Sequence, residues 1–244
     1  MFGAIIKEDA RMKEAEAKEG EKVKKTIVVS IMPCTAKKAE IKRKENYTEG
    51  KQDVDFVLTT DEVIRMIKEF GINLATIQGE AMDMPFGLAS GAGSIFGVTG
   101  GVTEAVIRNL VGSSNYADIK EISMLGVRGD DEFKEAEVRY GDRTLKIAIV
   151  NGLKNADELM NRIESGEAYY DFVEVMACRR GCIAGGGQPT PIGPTTKKAR
   201  LEGLYSIDSA SQIKISGENP IVKDLYGGIL KGKEHKLLHS NKEA

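Results

Sequence analysis

Short β-branched and aliphatic runs alternate along this chain with segments of helical periodicity. That alternation predicts an α/β protein, with a parallel or mixed β-sheet flanked by helices. A second observation supports it: cysteines stand just past the ends of two strand-like runs, at the strand-end loops where α/β folds place ligands. Taken in order, residues 7–25 (KEDARMKEAEAKEGEKVKK) read as a solvated helix held by Glu–Lys pairs. Phe2 to Ile6 looks like mid-helix with no N-cap before it, which predicts that the chain starts inside a larger domain. Thr26 to Ile31 reads as a buried strand, and Pro33 forbids its continuation, so Cys34 sits on the exit loop. Residues 41–54 read as polar surface. Asp55 to Leu58 is a short strand, and Thr59-Thr60-Asp61-Glu62 opens an N-capped amphipathic helix that stops near Gly71. Residues 72–101 are loop-like and rich in Gly, Met and Phe. A helix starts at Thr103, strands are expected over 122–127 and 145–150, and a helix over 151–165 follows a turn at Gly152. Asp171 to Val175 is a last strand that delivers Met176, Ala177 and Cys178. Helices over 195–214 and from Asn219-Pro220 toward His239 complete the chain.

Composition narrows the function. The 244 residues carry 35 Lys+Arg and 37 Asp+Glu, a formal net charge of −2, which argues against binding nucleic acid through bulk charge. Trp is absent and aromatics make up 6%, a poor basis for base stacking. No run approaches the roughly 18 apolar residues of a membrane span. The start lacks the basic region and long apolar core of a secretory signal. The three Cys are an odd number, so a reducing cytoplasmic setting is expected, where thiols serve metals or catalysis more often than disulfides.

All three cysteines leave strand ends. Cys34 follows the first strand, and Cys178 and Cys182 follow the last in Cys-Arg-Arg-Gly-Cys. Thiolates suit iron–sulfur clusters, zinc or copper(I). Lys37, Arg179, Arg180, Lys197 and Lys198 offer counter-charge. Gly185-Gly186-Gly187 lets backbone approach a bulky group closely, and Met32 and Met176 each stand two residues before a cysteine as polarizable walls. The alternative is that each Cys is a small buried hydrophobe. That suits Cys34 taken alone; it suits a C-x3-C beside a glycine run less well. His235 and His239 have i,i+4 spacing in a polar tail and read as surface residues. Gly91, Gly93 and Gly97 can be read as a dinucleotide loop, but the spacing is G-x-G-x3-G with no clear strand before it.

The strings VSIMPCTAKKAE (29–40) and EVMACRRGCIAGGGQP (174–189) resemble the iron-only ([FeFe]) hydrogenases. So do GAGSIFGVTGGVTEAVIR (91–108) and the tail SGENPIVKDLY (216–226) with KLLH (236–239). The resemblance covers residues 1–244 as the C-terminal portion of a catalytic domain, with 1–25 a charged helical entry and 216–244 a helical tail. It implies an H-cluster: a [4Fe–4S] cubane joined through a cysteine sulfur to a two-iron centre with carbon monoxide, cyanide and azadithiolate ligands. It implies Cys34 and Cys178 as cubane ligands, and Cys182 as the ligand bridging both parts. Lys37 would donate to a cyanide ligand, and Met32 and Met176 would pack on the two-iron site. The implied reaction is the reversible joining of two protons and two electrons into dihydrogen, with a ferredoxin, an NAD-linked carrier or an iron–sulfur subunit as electron partner.

The chain departs from that pattern in three places. The Thr-Ser-Cys-Cys-Pro stretch that carries a further cubane cysteine does not occur, so a fourth ligand is expected from an upstream segment or a partner chain, in preference to an exogenous ligand. Arg179-Arg180 stands where Pro-Gly is usual, which would raise the cluster potential or dock an acidic partner, or else face solvent. Thr103 replaces a usual Met, with the expected effect of loosening cofactor packing. The rival reading is a non-catalytic iron–sulfur sensor or assembly module. Met32, Lys37 and Met176, which serve the two-iron ligands, argue against it.

Overall fold

A computed structural model describes residues 1–18, 24–112, 121–122, 126–129, 131–179 and 181–239. The chain divides into two units. The first comprises Met1–Glu80, Gly186–Pro189 and Ile221–Ala244; the second comprises Ala81–Gly185 and Thr190–Pro220.

In the first unit, helix α1 (Phe2–Glu16) begins as the sequence suggests, without a side-chain cap. It buries Ala4 and Ile5. Gly3 is required there, because a Cβ would lie 2.6 Å from the Asp53 carbonyl oxygen. Strand β1 (Val29–Met32) pairs in parallel with β4 (Phe56–Thr59), in register from Val29 with Phe56 to Met32 with Thr59. The connection between them holds the short helix α2 (Ala36–Glu40) and a minimal antiparallel pair, β2 (Tyr47–Thr48) with β3 (Lys51–Gln52). Asp55 anchors the sheet: its carboxylate accepts the Val28 N–H at 2.7 Å and the Lys7 ammonium at 2.6 Å. Burial opposes that charge, but the Lys7 contact and the Val28 amide outweigh it and hold Asp55 below the usual carboxylate range. Helix α3 (Thr60–Glu69) follows β4 directly through a complete capping box, in which Thr59 Oγ1 accepts the Glu62 N–H and Glu62 accepts the Thr59 N–H. Two short helices, Pro220–Gly227 and Glu234–Leu238, end the described chain, and Lys233 pairs with Glu8 at 2.6 Å.

The expectation of a buried first strand does not hold. The pairing starts at Val29 rather than Thr26, and Val29 and Ile31 are 49% and 58% exposed. The reason is the size of the sheet: with two strands, one face of β1 finds no cover among the described residues, and of the apolar side chains here only Val28 and Val57 are buried.

The second unit holds a three-stranded mixed sheet of order β5-β6-β7, from β5 (Phe133–Tyr140), β6 (Arg143–Asn151) and β7 (Phe172–Met176). β5 and β6 form an antiparallel hairpin that turns at Gly141-Asp142, and β6 pairs in parallel with β7. Central β6 is buried from Ile147 to Asn151. Ile147 and Ile149 pack with Val138, Ala136, Val127 and Ile107, and Ala148 and Val150 pack with Leu159. Around the sheet lie the single turn α4 (Gly91–Ser94), α5 (Gly101–Val111), α6 (Leu153–Glu164) and α7 (Pro194–Ala210). Helix α6 connects β6 to β7 and supplies Leu159 to the second cluster. The strand expected over 122–127 falls partly outside the described residues, and Glu121 and Ile122 are helical.

Candidate metal centre

In the first unit, β1 ends in Met32, Pro33 and Cys34, and Thr35 starts α2. Met32, Cys34 and Lys37 are all partly exposed. The Gly186–Pro189 segment docks on this exit: the Gly187 N–H donates to the Pro33 carbonyl at 3.0 Å, and the Asp61 N–H donates to the Gly187 carbonyl at 3.0 Å. A Cβ on Gly187 would lie 2.8 Å from the Cys34 nitrogen and 2.9 Å from the Pro33 carbonyl carbon. Only a glycine reaches the cysteine loop this closely. The Lys37 ammonium sits on Glu40 at 2.5 Å, with both side chains about two-fifths exposed. Lys38 pairs with Glu62, and that contact together with the Thr59 amide lowers Glu62 to about 2.

In the second unit, β7 runs through the part-buried Met176 into the exposed Cys178. The backbone then folds back, with the Gly181 N–H donating to the Cys178 carbonyl at 3.1 Å and the Gly185 N–H donating to the Cys182 carbonyl at 3.0 Å. Gly181 has φ of 73°, and a Cβ there would lie 2.8 Å from the Gly97 carbonyl oxygen and 3.2 Å from the Thr99 nitrogen. Ile183, just past Cys182, is buried with Ile95 and Val98 against Leu201, Leu204 and Tyr205 of α7. The Arg200 guanidinium donates to its carbonyl at 2.8 Å.

The structure bears on several further sequence readings. Arg179 pairs with Glu132 at 2.9 Å on the surface, so its charge is already compensated; Arg180 lies outside the described residues. Thr103 is fully buried and its hydroxyl donates to Glu174 at 2.6 Å. Gly91 and Gly93 do not form a phosphate loop. Gly91 and Ala92 are buried, and a Cβ on Gly91 would lie 2.3 Å from the Asp208 carboxylate, so small size serves packing against α7. His235 and His239 stack with ring centroids 4.9 Å apart.

Sequence reasoning missed two buried polar groups. Glu174, alone and charged within an apolar strand, accepts the Gly100 N–H at 2.8 Å, the Thr103 N–H at 2.7 Å and the Thr103 hydroxyl. Arg108 is fully buried and forks across both Asp208 oxygens at 2.7 Å while also donating to Glu104. Arg128 reaches Glu104 at 2.7 Å and stacks over the Tyr205 ring at 4.1 Å. Burial opposes the Arg108 charge, yet the facing carboxylates more than offset it and raise its pKa; burial pushes Tyr205 up to about 12. The visible signal for both groups is a charged residue at an inward position of an apolar strand or helix.

All three cysteines are thiols, not disulfides. Cys34 belongs to the first unit, and Cys178 and Cys182 belong to the second. Among the described residues no group of three or more His, Cys, Asp or Glu is set to hold a metal ion. The donor chemistry nevertheless fits a soft-metal cluster: each thiol is at least partly accessible, and Met32 and Met176 supply thioethers. The chain has three cysteines, one fewer than the four thiolates that a cubane takes.

Strand-exit thiols backed by close-packed glycines, on α/β units, offer donors of the kind that soft metals take. Comparison with known proteins makes this specific. Residues 1–186 match the family described as "Iron only hydrogenase large subunit, C-terminal domain", and residues 194–241 match "Iron hydrogenase small subunit". The NADP-reducing hydrogenase subunit HndD of Solidesulfovibrio fructosivorans is 41% identical over 222 residues, 89% of this chain and 38% of that protein. Cytosolic iron-sulfur assembly component 3 of Mus musculus is 32% identical over 233 residues, 88% of this chain and 47% of that protein. A solved structure of a variant of the [FeFe]-hydrogenase HydA1 from Chlamydomonas reinhardtii superposes with a TM-score of 0.70 at 32% identity, covering 98% of this chain and 68% of that one. The chain therefore belongs to the first of these two families, that of the iron-only hydrogenases, which are iron–sulfur oxidoreductases. It spans under two-fifths of the length of the hydrogenase relative. No helix among the described residues is long and apolar enough to cross a membrane.

Proposed function

We propose that this chain forms part of an [FeFe] hydrogenase catalytic domain, in which Cys34 and Cys178 hold a [4Fe–4S] cubane and Cys182 bridges it to a two-iron centre. The observation that carries the reading is the pair of cysteine loops, each at the exit of a parallel-paired strand and each held by a glycine with no room for a side chain. The peptide that leaves Cys182 becomes, five residues on, the Gly187 segment docked on Pro33. When bound, the H-cluster supplies the redox chemistry that interconverts dihydrogen with two protons and two electrons. The chain's own residues position and insulate it. Met32 and Met176 would give non-ionisable walls, and Lys37, paired with Glu40 here, would donate to a cyanide nitrogen of the bound group. The fourth thiolate comes from an upstream segment or a partner chain. An iron–sulfur subunit or ferredoxin delivers electrons, in a reducing compartment such as the cytoplasm.

A second reading, a cluster-holding assembly module without the two-iron centre, is favoured by one observation: a relative named as an iron–sulfur assembly component matches 88% of this chain. Infrared spectroscopy after maturation of the full-length protein separates the two. Metal-bound carbon monoxide and cyanide bands, lost in Cys182→Ser, are expected of the hydrogenase. A cluster-loaded protein without such bands sinks that reading in favour of the module.

A further inference from the structure

Glu174 is a charged side chain, 6% exposed, in the middle of a strand otherwise made of Phe172, Val173, Val175 and Met176. A carboxylate is not left in such a place without donors, and it has three, all from the start of α5. The Gly100 N–H binds one oxygen; the Thr103 N–H and the Thr103 hydroxyl bind the other. The two amides use N–H groups that the first turn of a helix leaves unpaired. The hydroxyl is different, because it belongs to a side chain and is specific to this sequence, which carries Thr where the family resemblance leads one to expect Met.

The same loop that supplies these donors also backs the far end of the Cys178–Cys182 turn. Gly181 packs where a Cβ would meet the Gly97 carbonyl and the Thr99 nitrogen, and a Cβ on Gly97 would lie 4.0 Å from the Cys182 Cβ. Thus the 97–103 loop holds the cysteine turn at two places. It grips the incoming strand four residues before Cys178, through Glu174, and it backs Gly181 and Cys182 by direct packing. The separation of the two thiols is then set by how firmly Glu174 is seated on that loop.

We infer that Thr103 and Glu174 form a positioning pair that fixes the spacing of the Cys178 and Cys182 thiols. This rests on reading those two cysteines as a joint thiolate pair. The thiol spacing can be read without any cluster, by titrating the cluster-free full chain in a Cys34→Ser background with phenylarsine oxide, whose arsenic bridges two nearby thiols. With Thr103 intact the arsenical binds both thiols; Thr103→Val, which removes only the donor, weakens binding at least tenfold, and Thr103→Ser restores it to within threefold. All variants are read well below their melting temperatures, so that lost stability alone does not register. If Thr103→Val is unfolded there, Thr103→Ala is read in its place by the same criterion. Folded Thr103→Val or Thr103→Ala that binds within threefold of the parent overturns the inference. A parent chain that binds no arsenical through Cys178 and Cys182 overturns the premise of a thiolate pair instead.

Discussion

Lys37 and Arg108 show how differently a charge weighs at the surface and in the core. The Lys37–Glu40 pair is solvated on both sides, so its contribution is within about 1 kcal/mol. Glu40→Gln is therefore expected to leave the melting temperature almost unchanged while freeing the ammonium, and a large drop in thermal unfolding would show that the pair is structural. Arg108 stands at the other extreme. Its guanidinium is fully buried between Asp208 and Glu104, and removing it takes the two-pronged partner from buried Asp208 and leaves Arg128 alone to face both carboxylates. Arg108→Met should cost about 3–5 kcal/mol in urea unfolding; a loss under about 1 kcal/mol would contradict the described network. Gly187 makes a third case. Gly187→Ala forces a Cβ to within 2.8 Å of the Cys34 nitrogen, so the docked segment must shift, at about 1–3 kcal/mol. The place of Cys34 and Cys178 at strand exits is legible in the sequence, because apolar runs that end in Met32 and Met176 stop just before them. Glu174 and the Arg108–Asp208 pair are not, because those partners lie 71 to 100 residues apart in sequence and a lone charge gives no hint of what it meets.

At the scale of elements, α3 is legible to its cap: Thr59 and Glu62 in the sequence are the capping box in the structure. Its pH response follows. Glu62 is held below its ordinary value of 4.5, at about 2, so its contribution is complete above pH 4.5 and is lost as the pH falls toward 2. Acid unfolding of Glu62→Gln should therefore begin from a lower plateau and show a shallower dependence over that window; an unchanged curve would remove Glu62 from the account. The β5 strand escapes sequence reading, although residues 133–140 alternate and Gly141-Asp142 marks a two-residue turn. Its outward charges Glu135, Glu137 and Arg139, together with the inward-turned Lys134, mask the buried Ala136 and Val138. β1 fails in the opposite direction. Its β-branched run reads as a buried strand, but burial depends on how many strands lie beside it, and that number is not written in the run itself.

For the whole molecule, fold class and family are legible in the residues, whereas the division into two units is not, since each unit draws on separated stretches of chain. The tail strings at 216–226 and 236–239 resemble the hydrogenases, but they do not by themselves show that residues 194–241 match a small-subunit family. The proposal of one shared centre ties Cys34 of the first unit to Cys178 and Cys182 of the second. Anaerobic reconstitution of the full chain with iron, sulfide and a small thiol as the fourth donor, followed by iron and sulfide counting in the parent and in each single Cys→Ser variant, tests that tie most directly. A single cubane is predicted, about four irons per chain, with all three substitutions abolishing its retention alike. A Cys34→Ser chain that keeps the parent's full complement of iron would contradict it.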